Sequence, residues 1–150
     1  MDSEVEQCLP ILLKKSVDTN KFISSNAVHA LLEMIHGTGT IERTMVSVMN
    51  QIPGMKNAAI RCVIAQVMHE CLTIRLKGAF FQKKQLVPKF MQNLGELSKE
   101  GHSECRMWVK QTVQSLLYYH DTSKEDFKKF VQKNVNDKIY QELCKIIDKG

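Results

Sequence analysis

Apolar positions recur at helical spacing along almost the whole chain. Val5, Cys8, Leu9, Leu12 and Leu13 follow an i, i+3, i+4, i+7, i+8 pattern and predict an amphipathic helix that stops at the polar run "VDTNK". Ile23, Ala27, Ala30, Leu31 and Met34 predict a second, ending at "HGTGT" around Gly37 and Gly39. Ile41, Met45, Val48, Met49 and Ile52 predict a third, closed by Pro53-Gly54. The cleanest stripe is the fourth: Ile60, Val63, Ile64, Val67, Met68, Cys71 and Leu72. After Gly78 the pattern resumes with Leu86, Phe90, Leu94 and Leu97, and Pro88 is acceptable in a first turn, where its missing N–H costs nothing. "SKEGHSE" interrupts it. Cys105, Val109, Val113, Leu116 and Leu117 then make a sixth stripe, with Trp108 beside it. In "HDTSKED", Thr122 or Ser123 can accept from the turn holding Glu125 and Asp126, which is the look of a helix cap. Two short helices follow, around 127–133 and 138–147. No alternating strand pattern competes with this reading.

The predicted helices pair. Each polar interruption lies between a first helix and a more apolar second one, and three second helices superpose: "FISSNAVHALL", "AIRCVIAQVMH" and "ECRMWVKQTVQ". Their leading apolar positions are Ile23, Ile60 and Cys105, separated by 60 − 23 = 37 and 105 − 60 = 45 residues. That brackets the roughly 40–47 residues of a HEAT or armadillo unit. One such unit cannot bury its apolar face alone, whereas stacked units share a continuous core. The expectation is therefore an all-α protein, one domain over residues 1–150: an α-solenoid of about three HEAT/armadillo-like helical pairs with C-terminal capping helices. A closed helical bundle is the alternative. The residues after the leading positions are Ser24, Arg61 and Arg106. An Arg there fits the Asp/Arg ladder of HEAT arrays, which links neighbouring loops by charge-assisted hydrogen bonds, with Asp18 as the acidic member in the first loop.

Composition agrees with a helical, globular chain. Seven Gly and three Pro against eight Met favour helix over sheet, and 150 residues can bury a real core. No apolar run approaches the roughly 18 residues of a membrane span. "MDSEVEQ" is acidic and polar, unlike a secretory leader, so a cytoplasmic location is expected. Five scattered cysteines without a Cys-x-x-Cys pair then read as reduced, small hydrophobes. The net charge of +5 suits an acidic partner. Its Lys and Arg are spread over the helices, densest at "FQKKQ" and "FKKF", without the clustered basic and aromatic pattern of a nucleic-acid reader. Neither nucleic acid nor membrane is expected as a partner.

At this point the chain resembles something narrower than a generic helical repeat. "CLPILLKKSVDTNKFISSNAVHALLEMI" looks like a repeat of a TOG domain, the tubulin-binding HEAT array, in which a Leu- and Lys-rich helix runs into a polar loop and then an Ala/Leu stripe. "KNAAIRCVIAQVM" and "LSKEGHSECRMWVKQTVQSL" are similar to later TOG repeats, and the nearest flavour is the crescerin branch, regulators of ciliary microtubules. The resemblance covers nearly the whole chain but only about the C-terminal three of the six repeats of a TOG domain. It implies a loop edge that grips tubulin, made here of Asp18, Thr19, Asn20, Lys21 and Phe22 in the first loop, Lys56, Asn57 and Arg61 at the second, and Lys99, Glu100, His102, Ser103 and Arg106 at the third. It also implies a cytoskeletal or ciliary setting. Two features depart from the family. Ser24 stands where a basic residue is usual, and the loop aromatic of the first TOG repeat belongs to the half this chain lacks.

Read as residues alone, these positions divide. Asp18, Asn20 and Lys21 can serve as caps and solvated loop as well as contacts. Phe22 reads as a core or staple residue, Arg61 and Arg106 as scaffold ladder, and Trp108 as helix packing. Lys56 and Asn57 are the sharper binding candidates, since neither has a packing reason to sit in its loop. His29, His36, His69, His102 and His120 form no metal site legible in the sequence, and HExxH, a phosphate-cradling Gly loop and a nucleophile elbow are absent. The chain is expected to be a non-catalytic protein-binding module without cofactor or metal, TOG-like and directed at tubulin or microtubules. The alternative is a general HEAT/armadillo scaffold for another protein. A catalytic or nucleic-acid-binding helical domain comes last.

Overall fold

The computed structural model describes residues 2–37, 41–54, 57–99 and 101–149. Among these the chain forms eight α-helices and no strand: α1 (Asp2–Lys15), α2 (Lys21–Gly37), α3 (Ile41–Met49), α4 (Ala58–Glu70), α5 (Leu86–Ser98), α6 (Ser103–His120), α7 (Lys124–Asn134) and α8 (Asp137–Lys149). A 3₁₀ turn at Ile52–Gly54 ends the third stripe at its Pro-Gly, because proline offers no N–H to carry the helix on.

The fourth stripe has a feature its spacing does not announce. α4 passes without a break into a π-helical stretch, Cys71–Leu76, and the chain then reverses at Lys77, whose φ of 48° and ψ of −133° belong to a region that favours glycine. A 3₁₀ stretch, Lys77–Gln82, follows. It carries Phe80 into the core, where its ring meets Phe90 edge-on at 4.8 Å between centroids.

Stripe and burial agree closely in the middle of the chain. Ile60, Val63, Ile64, Val67, Met68, Cys71 and Leu72 are all buried, as are Leu86, Phe90, Leu94 and Leu97, and then Cys105, Val109, Val113 and Leu116. Each large aliphatic side chain removed from water in this way contributes about 1.5–3 kcal/mol. The first turn of α2 behaves differently. Phe22 is 75% exposed and Ile23 38%, so the apolar face of α2 begins at Ala27 and continues through Leu31 and Ile35. The staple role expected of Phe22 is not observed. α2 starts at Lys21, so both residues lie in its exposed first turn.

The packing order is regular. α1 packs on α2, α3 on α4, α5 on α6 and α7 on α8; α1, α3, α5 and α7 also touch in succession, as do α2, α4, α6 and α8. α5 meets α8 as well, and Gly95 of α5 lies so close to Ile139 of α8 that a Cβ there would run into the isoleucine side chain. Buried side chains from all eight helices join one core running from Leu9 to Ile147. At the chain's end, Ser123 caps α7 by accepting the N–H of Asp126 at 3.2 Å.

Candidate functional site: a loop edge and a Cys–His–Glu cluster

The three turns ahead of α2, α4 and α6 are built to a common register. Asn20, Asn57 and His102 each immediately precede their helix and each lie three residues before the leading positions Ile23, Ile60 and Cys105. Asn20 Oδ1 accepts the N–H of Phe22 at 3.0 Å, and Asn57 Oδ1 accepts the N–H of Ala59 at 2.9 Å. Both satisfy a backbone donor that the helix itself leaves open. Asp18 supports the first turn by accepting the N–H of Asn20 at 2.8 Å. Asn57 therefore has a local structural reason for its place, which the sequence reading did not give it.

His102 breaks the pattern. It occupies the same position, with extended backbone (φ −74°, ψ 120°), yet its side chain makes no cap bond. Its ring is half-buried, and Nδ1 is sealed from solvent without a hydrogen-bond partner. A buried polar atom left unpaired costs free energy and calls for an explanation.

Around that ring the structure brings together residues far apart in sequence. The ligand-type atoms of Cys62, His102 and Glu104 all lie within 4.8 Å of one another. Cys62 is 5% exposed on α4, and Glu104 sits exposed in the first turn of α6. Burial, then the charge of the neighbouring Glu104 carboxylate and of Cys105, push the Cys62 thiol up to about 12, and the thiol donates to Glu104. Cys105 itself is turned to the Leu97 carbonyl, 3.8 Å away.

These residues line one groove of about 310 Å³, together with Ser16, Val17, Asp18, Ser24, Val28, Ala59, Val63 and Gln66. The turn after α1, the start of α4 and the turn before α6 therefore meet on one edge. Of the remaining loop candidates, Thr19, Lys21, Ser103 and Arg106 are exposed, Arg61 is half-buried, and Lys99 pairs loosely with Glu96 at 3.9 Å. Lys56 and Glu100 lie outside the described residues. Ser24, where the TOG pattern would have a base, bonds the Lys21 carbonyl at 3.1 Å. Arg106 lines a second groove of about 290 Å³ with Lys110, Lys145 and Lys149, against the single acid Glu142. That excess of positive charge was not visible in the sequence, because α6 and α8 contribute it jointly.

Elsewhere, Trp108 of α6 packs against His69 of α4, ring centroids 5.3 Å apart, and each ring keeps one buried nitrogen without a partner. No helix among the described residues is long and apolar enough to cross a membrane. The sequence reading found His102 but missed Cys62 and Glu104. No sequence signal joined them to His102, because Cys62 lies on another helix and shares no spacing with Glu104. No protein family, curated protein or solved structure matches the chain.

Proposed function

We propose that the chain is a non-catalytic α-solenoid module, three stacked helix pairs closed by α7 and α8, that docks an acidic protein surface on its loop edge. The observation that carries this reading is one groove lined jointly by Asp18 of the first turn, Ala59 in the first turn of α4 and His102 ahead of α6. Its charged residues are Asp18 and Glu104, so the attraction for an acidic partner comes from the second groove, where Arg106 stands. The successive contacts of α1, α3, α5, α7 and of α2, α4, α6, α8 support the stacked arrangement. Polar turns fixed on a packed scaffold make a preorganised surface, so little ordering entropy opposes binding. The cations Arg106, Lys110, Lys145 and Lys149 and the net charge of +5 favour an acidic partner.

Tubulin is the first partner to test, because the resemblance to TOG repeats implies it and its chemistry fits the charge. Co-sedimentation with microtubules and gel filtration with free tubulin at low ionic strength, where basic–acidic attraction is least screened, form the experiment. Binding is expected, and Arg106→Glu combined with Lys110→Glu is expected to weaken it at least tenfold with helicity unchanged. Absence of both interactions at low salt sinks the tubulin reading. Undiminished binding by the double variant removes the basic groove from the account.

A further inference from the structure

We infer that Cys62, His102 and Glu104 form a binding site for a divalent transition metal ion of the zinc class, placed where α4 meets the turn before α6. Four observations converge on it. The three ligand-type atoms already lie within 4.8 Å of one another. Ligand atoms around a tetrahedral zinc lie about 3.3–3.6 Å apart, given bonds of about 2.0–2.3 Å. The contraction required is about an ångström, which the torsions of His102 and the exposed Glu104 supply.

The second observation is His102 itself. It stands where the other two turns carry a capping asparagine, caps nothing, and keeps a buried nitrogen without a partner. A metal ion gives an imidazole at this place a partner, which a helix cap does not. The third is charge. One thiolate and one carboxylate with a neutral imidazole balance a dication, so the bound site is neutral where the positive end of the α6 dipole would oppose a net cation. The fourth is access. All three side chains line the groove of about 310 Å³, so solvent reaches the site and supplies the fourth ligand. Thiolate with imidazole and carboxylate is a donor set that zinc takes, whereas calcium and magnesium take oxygen alone.

Binding is written simply. The Cys62 S–H bond breaks, the sulfur keeps the electron pair and bonds the metal, and the proton leaves to solvent. Nothing is oxidised or reduced. The metal then ties α4 to the start of α6 across 40 residues of sequence, a cross-link that fixes the loop edge. The site stands independently of the proposed partner, since its test involves none.

The test is a titration of the reduced, full-length chain with zinc against a chromophoric chelator, repeated with cobalt(II) followed by absorption. One zinc per chain is expected, with the thiolate charge-transfer and tetrahedral d–d bands in the cobalt form and a rise in melting temperature on metal addition. Cys62→Ala and His102→Ala are expected to lose more than the roughly 10–100-fold in affinity that outer-sphere partners cost. Cys8→Ala and Cys144→Ala, at thiols outside the cluster, leave affinity unchanged. Glu104→Gln alters only a surface side chain, so it keeps the test valid if a core variant fails to fold, and it is expected to weaken binding tenfold or more. Failure of the parent to bind zinc, or zinc binding undiminished in Glu104→Gln and Cys62→Ala, overturns the site.

Discussion

His69 shows how far one half-buried ring can set the response of this protein to pH. Partial burial on α4, beside Trp108 of α6, lowers its pKa from 6.5, with Glu70 opposing only in part. The folded state therefore holds His69 neutral at pH values where the unfolded chain has already taken up a proton. Because the unfolded state binds more protons in that window, stability falls as pH drops from about 6.5 towards the lower folded value. Urea unfolding at a series of pH values between 7.5 and 5 checks this, with roughly these limits chosen to span the unperturbed histidine pKa. The parent is expected to lose stability on acidification, and His69→Gln is expected to lose less. Equal slopes for the two proteins contradict the assignment. At this scale the sequence was legible where a residue's chemistry is local. Ser123 as a cap could be read from its neighbours. Asn57 was read as having no structural reason for its place, because its cap role depends on the helix starting at Ala58 rather than elsewhere. Phe22 was misread as a staple, because its fate depends on what lies beyond the first turn of α2.

Among the elements, the contact of α5 with α8 is the sharpest steric constraint. Gly95 stands inside α5, where alanine would by propensity alone stabilise the helix by about 1 kcal/mol. Here the added methyl meets the β-branched side chain of Ile139, whose Cβ and Cγ2 are held close to the backbone and cannot swing away. Overpacking of this kind costs about 1–3 kcal/mol, so it outweighs the propensity gain. Gly95→Ala is expected to lower the denaturation midpoint, and Gly95→Ala with Ile139→Ala to cost less than the sum of the two single changes. A midpoint raised by Gly95→Ala alone would mean that α5 and α8 sit further apart than described. Helix existence was readable throughout, since the stripes of α4, α5 and α6 are strongly periodic. The π-helical stretch and the reversal at Lys77 were not. Cys71, Leu72, Leu76 and Phe80 continue the apolar count through both, and a lysine gives no sign of a backbone conformation that glycine would favour.

At the scale of the molecule, the eight described helices share one core, and three of the turns between them carry related polar residues. Asn20, Asn57 and His102 hold equivalent places because the second helices start in a common register. The groove beside these turns is lined from the end of α1, from α2 and α4, and from the start of α6, with α4 in contact with both α2 and α6. The spacing of 37 and 45 residues made that register visible in the sequence. What it could not show is which side chains meet across it. Cys62 and Glu104 are 42 residues apart (104 − 62) and share no local pattern, and the basic groove forms only when α8 returns beside α6.

The central claim, that partner binding belongs to the loop edge, is tested most directly by hydrogen exchange of the chain with and without tubulin at low ionic strength. The account predicts slowed exchange confined to the turn at 16–20, the start of α4 at 58–62 and the turn and first helical residues at 101–106, with α3 and α7 unchanged. Protection that falls on α3 and α7 instead, with the three turns exchanging as in the free chain, contradicts it.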